Sequence, residues 1–136
     1  MSTPEAEARR WLAYARSDLD AAQELLQKPD SYPRQVCFLA QQAAEKTFKA
    51  ALIFAGVNVP RSHDLDALRN LLPDGWKVKS EHPDLASLSV WAVEARYPGD
   101  SPEAVEADAR TAAQQAQAVW ETICADLTER GFDTAT

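Results

Sequence analysis

The sequence predicts an all-α fold, an up-and-down antiparallel bundle of four main helices with one additional short helix, and three observations carry that prediction. Alanine is abundant while glycine numbers only 4 in 136 residues, a composition that favours helix on intrinsic propensity. Apolar residues recur at three- and four-residue steps over long segments, the spacing of one helical face. Pro and Gly fall between those segments rather than inside them. At this length the chain fits one domain, expected over residues 4–130 with residues 1–3 and 131–136 frayed.

The first helix is expected from Pro4 to about Lys28, with Thr3 as cap and Pro4 in the first helical position. Its apolar stripe is Trp11, Ala15, Leu19, Ala22, Leu25 and Leu26, and Pro29-Asp30-Ser31 ends it. The second runs from about Tyr32 to Ala55. Val36, Leu39, Ala40, Ala43, Ala50 and Phe54 mark one side and Phe38 and Leu52 another, so it reads as the central helix. Gly56 stops it, and Val57-Asn58-Val59-Pro60 reads as an extended connection, because a residue before Pro is driven out of the α region. A short helix opened by Ser62 or His63 carries Leu65, Leu68, Leu71 and Leu72 and closes at Pro73-Asp74-Gly75.

A further helix is expected from about Pro83 to Arg96, on Leu85, Leu88, Trp91 and Ala92 or Ala95, stopping at Tyr97-Pro98-Gly99-Asp100. The last should start with Ser101 as cap and Pro102 in first position, with Glu103, Glu106 and Asp108 near its positive end. Val105, Ala109, Ala112, Ala116, Val119, Ile123 and Leu127 then form a stripe that ends at Gly131. Ala-rich stripes on the second and last helices permit close approach of their axes.

Several function classes are excluded at this level. No run of about 18 apolar residues is present and the first thirty residues are charged throughout, so neither a membrane span nor a secretory signal is expected, and the chain is assigned to the cytoplasm. Cys37 and Cys124 lack the spacing of metal ligands and read as small buried thiols; no metal and no cofactor are expected. The net charge of −7 argues against a general nucleic-acid coat. Residues 34–79 nevertheless hold seven cations against four carboxylates, a net of +3, whereas residues 80–136 sum to −8. An anionic ligand is therefore expected at the middle third.

Within that third, Gln41, Glu45 and Lys49 form an i, i+4, i+8 row. Such a row is either a solvated strip held by a Glu–Lys pair or the wall of a polar groove. His63 follows Pro60-Arg61 near a helix start, where it caps the helix or contacts a phosphate. His82, in a polar loop before Pro83, reads as solvated. Arg96-Tyr97 at a bundle end either stops a helix or offers charge and a stacking face to RNA.

Taken together, Cys37-Phe38-Leu39-Ala40-Gln41-Gln42-Ala43-Ala44-Glu45-Lys46 with Lys49-Ala50, then Val59-Pro60-Arg61-Ser62-His63-Asp64-Leu65, then Ala95-Arg96-Tyr97-Pro98, resemble the HEPN domain (higher eukaryotes and prokaryotes nucleotide-binding) from about Trp11 to Leu127. The resemblance implies an up-and-down four-helix bundle and a homodimer with a cleft at its interface. It also implies a nucleotide or RNA ligand, and action beside a minimal nucleotidyltransferase in a two-component or toxin–antitoxin-like system. Ribonuclease members carry an Arg and, after four to six residues, a His. Here the positions after Arg96 hold Ser101, Pro102 and Glu103, so the imidazole is missing and with it proton transfer worth roughly 10²–10⁴ in rate. The expected function is therefore a non-catalytic nucleotide- or RNA-binding homodimer using Gln41, Glu45, Lys49, Arg61, His63, Arg96 and Tyr97. A divergent ribonuclease using Arg96 and His63 is one alternative. A ligand-free dimeric adaptor joined through Trp11, Trp91 and Trp120 is the other.

Overall fold

The computed structural model describes residues 3–28, 32–99 and 102–134. Its elements are α1 (Pro4–Leu26), α2 (Pro33–Phe54), α3 (Leu65–Asn70), α4 (Lys77–Glu81), α5 (Ala86–Ser89), α6 (Trp91–Glu94) and α7 (Glu106–Glu129), with no strand among the described residues. The expected all-helical fold is present. The helix stop at Pro29-Asp30-Ser31 and the cap at Ser101 lie outside the described residues.

Local sequence explains the long helices. Thr3 Oγ1 accepts from the Ala6 N–H at 3.0 Å and Pro4 takes the first helical position of α1. At the end of α2, Gly56 adopts φ +75°, which lets the Val57 N–H reach the Leu52 carbonyl at 2.9 Å and close a Schellman cap. Twelve residues of α2 are buried, against α1 on one side and α7 on the other, which makes it the central helix the two-sided apolar pattern required. The buried apolar side chains form one cluster, with Leu19, Phe48, Leu52, Ile123 and Leu127 among its largest members.

The shorter elements depart from the pattern. Asp64, rather than Ser62 or His63, caps α3, through an Oδ1 that accepts from the Ala67 N–H at 3.2 Å. The helix expected over 83–96 is two short pieces, α5 and α6, meeting at Val90, while Ser89 Oγ accepts the Leu65 N–H from α3 at 2.9 Å. The last helix starts at Glu106 instead of Pro102. Asp108 Oδ2 accepts the Val105 N–H at 3.0 Å, which fixes the start there and leaves Val105 exposed rather than on the apolar stripe.

Helix α4 has no local signal in the sequence. Its first N–H groups, on Lys77 and Val78, donate to the two carboxylate oxygens of Asp126 at 2.9 and 3.1 Å, so a fully buried side chain of α7 caps a helix 48 residues away. His82, expected in solvent, is half-buried with Nε2 3.0 Å from Thr122 Oγ1. The stretch from 131, expected to fray, is held by Phe132, which is buried edge-on against Phe54 with ring centroids 5.2 Å apart.

Candidate functional site

On a helix as buried as α2, the residues left partly open to solvent are informative. Gln35, Phe38, Leu39, Gln42, Lys46, Lys49 and Ile53 are half-buried and recur at three- and four-residue steps, so they form one strip along the helix. Side chains from two directions meet this strip. From α1, Trp11 lies 5.7 Å from Lys49 Nζ and Tyr14 lies 5.9 Å from Lys46 Nζ, while Asp18 accepts from Lys46 at 2.6 Å. From the chain after α2, the Arg96 guanidinium stacks 5.3 Å over Phe38, and His63 joins Glu45.

Glu45 is the hub of the polar cluster. Its Oε1 accepts from His63 Nδ1 at 2.7 Å and from Gln41 Nε2 at 3.1 Å, and its Oε2 pairs with Lys49 Nζ at 2.8 Å. Burial alone would raise its pKa, but the bonds from Lys49, His63 and Gln41 outweigh that and hold the carboxyl below its ordinary value. An ionised carboxylate only accepts, so His63 Nδ1 carries the hydrogen and Nε2, without a partner among the described residues, is the nitrogen that faces outward. The His63 side chain is 55% exposed.

The remaining candidates fall at the two ends of the strip. At the α2 C-terminal end, Trp11, Lys49 and Arg61 line a recess of about 490 Å³ bounded by the first turns of α1 and the 56–61 loop. Arg61 is exposed and has no ion-pair or hydrogen-bond partner among the described residues. At the other end, Arg34, Phe38, Leu39 and Arg96 line a mostly apolar recess of about 390 Å³. It adjoins one of about 540 Å³ that Arg34, Arg96 and Tyr97 also border. Tyr97 is 59% exposed, and Arg34 Nη1 donates to the Ala95 carbonyl at 2.9 Å.

The structure thus divides the predicted residues. Gln41 and Glu45 are buried and lie beneath the surface, Gln41 donating to the His63 carbonyl at 3.2 Å, so they position His63 and Lys49 instead of lining a wall. Arg61 with Lys49 and Arg96 with Tyr97 occupy different recesses with no lining residue in common. From Phe38 to Lys49 the helical rise spans about 16 Å. Sequence reading missed Trp11 as part of the Lys49 recess, Tyr14 and Arg34; Arg34 lies seven residues, two helical turns, before Gln41, and that spacing could have pointed to it. Cys37 is buried and its thiol is pushed up to about 12 by desolvation, with Asp108 adding to the shift. Cys124, only half-buried, rises to about 11 for the same first reason. Among the described residues no group of three or more His, Cys, Asp or Glu could hold a metal, and no helix is long and apolar enough to cross a membrane.

A profile of the HEPN domain matches residues 8–127. The chain belongs to the HEPN domain family. Two solved structures share the fold. TT1696 from Thermus thermophilus is 29% identical, with a TM-score of 0.77 over 88% of this chain and 98% of that one. ST0689, described as an archaeal HEPN homologue, is 25% identical, with a TM-score of 0.67 over 93% and 99%. No curated protein matches this HEPN chain significantly.

Proposed function

We propose that this HEPN domain is a non-catalytic module that binds single-stranded RNA or a nucleotide along the open strip of α2. The observation that supports this most is the interleaving of cations and rings on that strip: Arg96 on Phe38, Lys46 beside Tyr14, Lys49 beside Trp11. A single strand needs both, since rings stack bases whatever their identity and cations follow the phosphates. The missing His after Arg96 favours binding over cleavage. The reading includes a homodimer, for which the exposed Val90 and Val93 offer apolar surface, and a minimal nucleotidyltransferase as partner. Fluorescence anisotropy with a single-stranded RNA octamer tests the ligand: binding should weaken steeply with salt and fall at least tenfold in Arg96→Ala. No binding of RNA or of nucleotides, with Arg96→Ala without effect and no capture of a neighbouring-gene nucleotidyltransferase, would overturn it.

A second reading, a divergent ribonuclease, draws support from the Glu45–His63 pair, because a carboxylate on Nδ1 holds the imidazole with Nε2 available for proton transfer. Arg96 sits over Phe38, about 10 Å along α2 from Glu45, so it would have to act on the His63 of a facing subunit. RNA cleavage by the wild type and not by His63→Ala would establish this reading; equal background in both would end it.

A further inference from the structure

The two ends of the α2 strip differ in shape. Toward Arg96 it opens between Leu25 of α1 and Ala95 after α6. Toward the C-terminus of α2 it runs out against the turn at Gly56, the 57–61 loop that doubles back beside α2, and the first turns of α1 at Pro4 and Glu7. A strand lying along the strip therefore meets the 56–61 loop at this end. Two cations, Lys49 and Arg61, line this recess together with Trp11. At the other end Arg34 and Arg96 also come together, but there Arg34 donates to the Ala95 carbonyl and Arg96 lies over Phe38, and between the two ends Lys46 is matched by Asp18.

Resting on the single-strand reading above, we propose that this recess receives the terminal phosphomonoester of the bound strand, with the terminal base against Trp11. An internal phosphodiester carries one charge and must leave the site on both sides. A terminal monoester carries up to two charges and three acceptor oxygens, and it needs only one exit. Arg61 has no competing partner among the described residues, and its planar fork suits a phosphate. Lys49 can turn toward the recess because Glu45 keeps two other donors, His63 and Gln41. Glu7 is the one carboxylate among the lining residues and opposes the anion there.

The test uses the full chain and RNA octamers of one sequence, with a 5′-phosphate, a 3′-phosphate or two hydroxyl ends, and AMP as a competitor. The strip spans about five nucleotides at 3.4 Å per stacked base, so an octamer covers it. One phosphorylated octamer should bind at least tenfold tighter than the hydroxyl form, and the identity of that octamer assigns strand direction. Arg61→Gln should bring the ratio close to one, and Glu7→Gln should raise it. Equal binding of all three octamers overturns the terminal site while leaving the strand reading intact. Binding of no octamer overturns both. AMP competing as strongly as the phosphorylated octamer overturns strand-end recognition in favour of a free mononucleotide.

Discussion

Replacing Glu45 by Gln keeps the shape of the side chain and removes the charge at the centre of the polar cluster. The carboxylate accepts from three donors, Lys49, His63 and Gln41, and its side chain is 6% exposed. Gln presents one oxygen and one NH₂, so at least one of the three donors faces another donor. Breaking a buried pair outright costs roughly 3–5 kcal/mol. Here His63 is 55% exposed and Lys49 can extend into the recess, so water replaces part of the loss and about 2 kcal/mol is expected. With unfolding entropy near 2.1 cal/mol/K per residue, 136 residues give about 0.29 kcal/mol/K, and Tm should fall by about 7 °C at pH 7. The acid side gives a second check. Glu45 titrates below its ordinary value of 4.5 in the folded chain, so its contribution is fully present above that pH and disappears as pH falls through the lowered folded value. Thermal melts at pH 7 and pH 3 should show the gap between wild type and Glu45→Gln shrinking on acidification. A gap below about 1 °C at pH 7, or one unchanged at pH 3, would refute the assignment of Glu45 as an ionised, triply bonded hub.

Asp126→Ala removes the acceptor of two N–H groups at the start of α4, at a cost of about 3 kcal/mol and so about 10 °C in Tm. Near-ultraviolet circular dichroism should also report loosening of Trp76, and an unchanged melt would deny the capping role. Burial lowers the pKa of His82 despite opposing effects of Glu81 and the Ala118 backbone. The unfolded chain therefore takes up its proton first, and the stability from the neutral ring is lost as pH drops below about 6.5. His82→Gln should flatten the fall in Tm between pH 7 and 5; an identical slope would contradict the burial. Both thiols titrate well above neutrality, so a thiol-exchange reagent at pH 8 should react with native protein at least 100-fold more slowly than with unfolded protein. Rapid native labelling of Cys37 would place that side chain outside the core.

The long helices were legible because their determinants are local. Thr3-Pro4 caps α1 within three residues, Gly56 ends α2 through its own φ, and the apolar steps of α7 from Ala109 to Leu127 are all buried. The elements that were misread take their determinants from elsewhere in the chain. α4 is capped by Asp126 from α7, and the 83–96 segment is tied to α3 through Ser89. Single-chain periodicity carries no trace of a partner 24 or 48 residues away, which is why these boundaries moved while the fold class did not.

Charge along the chain shows the same division between local sequence and folded position. Seven cations in residues 34–79 pointed to the middle third, yet three of them line neither recess of the strip and make their contacts elsewhere. Arg69 pairs with Asp66 and donates to the His82 carbonyl, Lys77 pairs with Glu129, and Lys79 pairs with Asp74. Arg34, Lys46, Lys49 and Arg61 remain along α2, and Arg96 joins them from a segment whose summed charge is −8. The field along the strip depends on which cations fold toward it, and a window sum over the sequence does not carry that information. Neutralising Lys77 and Lys79 together should leave RNA affinity and its salt slope unchanged, although it removes two of the seven charges. Neutralising Lys46 and Arg96 should lower affinity more than tenfold and reduce the slope by about 2. Equal effects from the two pairs would mean that the ligand responds to net charge alone, and the strip would lose its claim to be the binding surface.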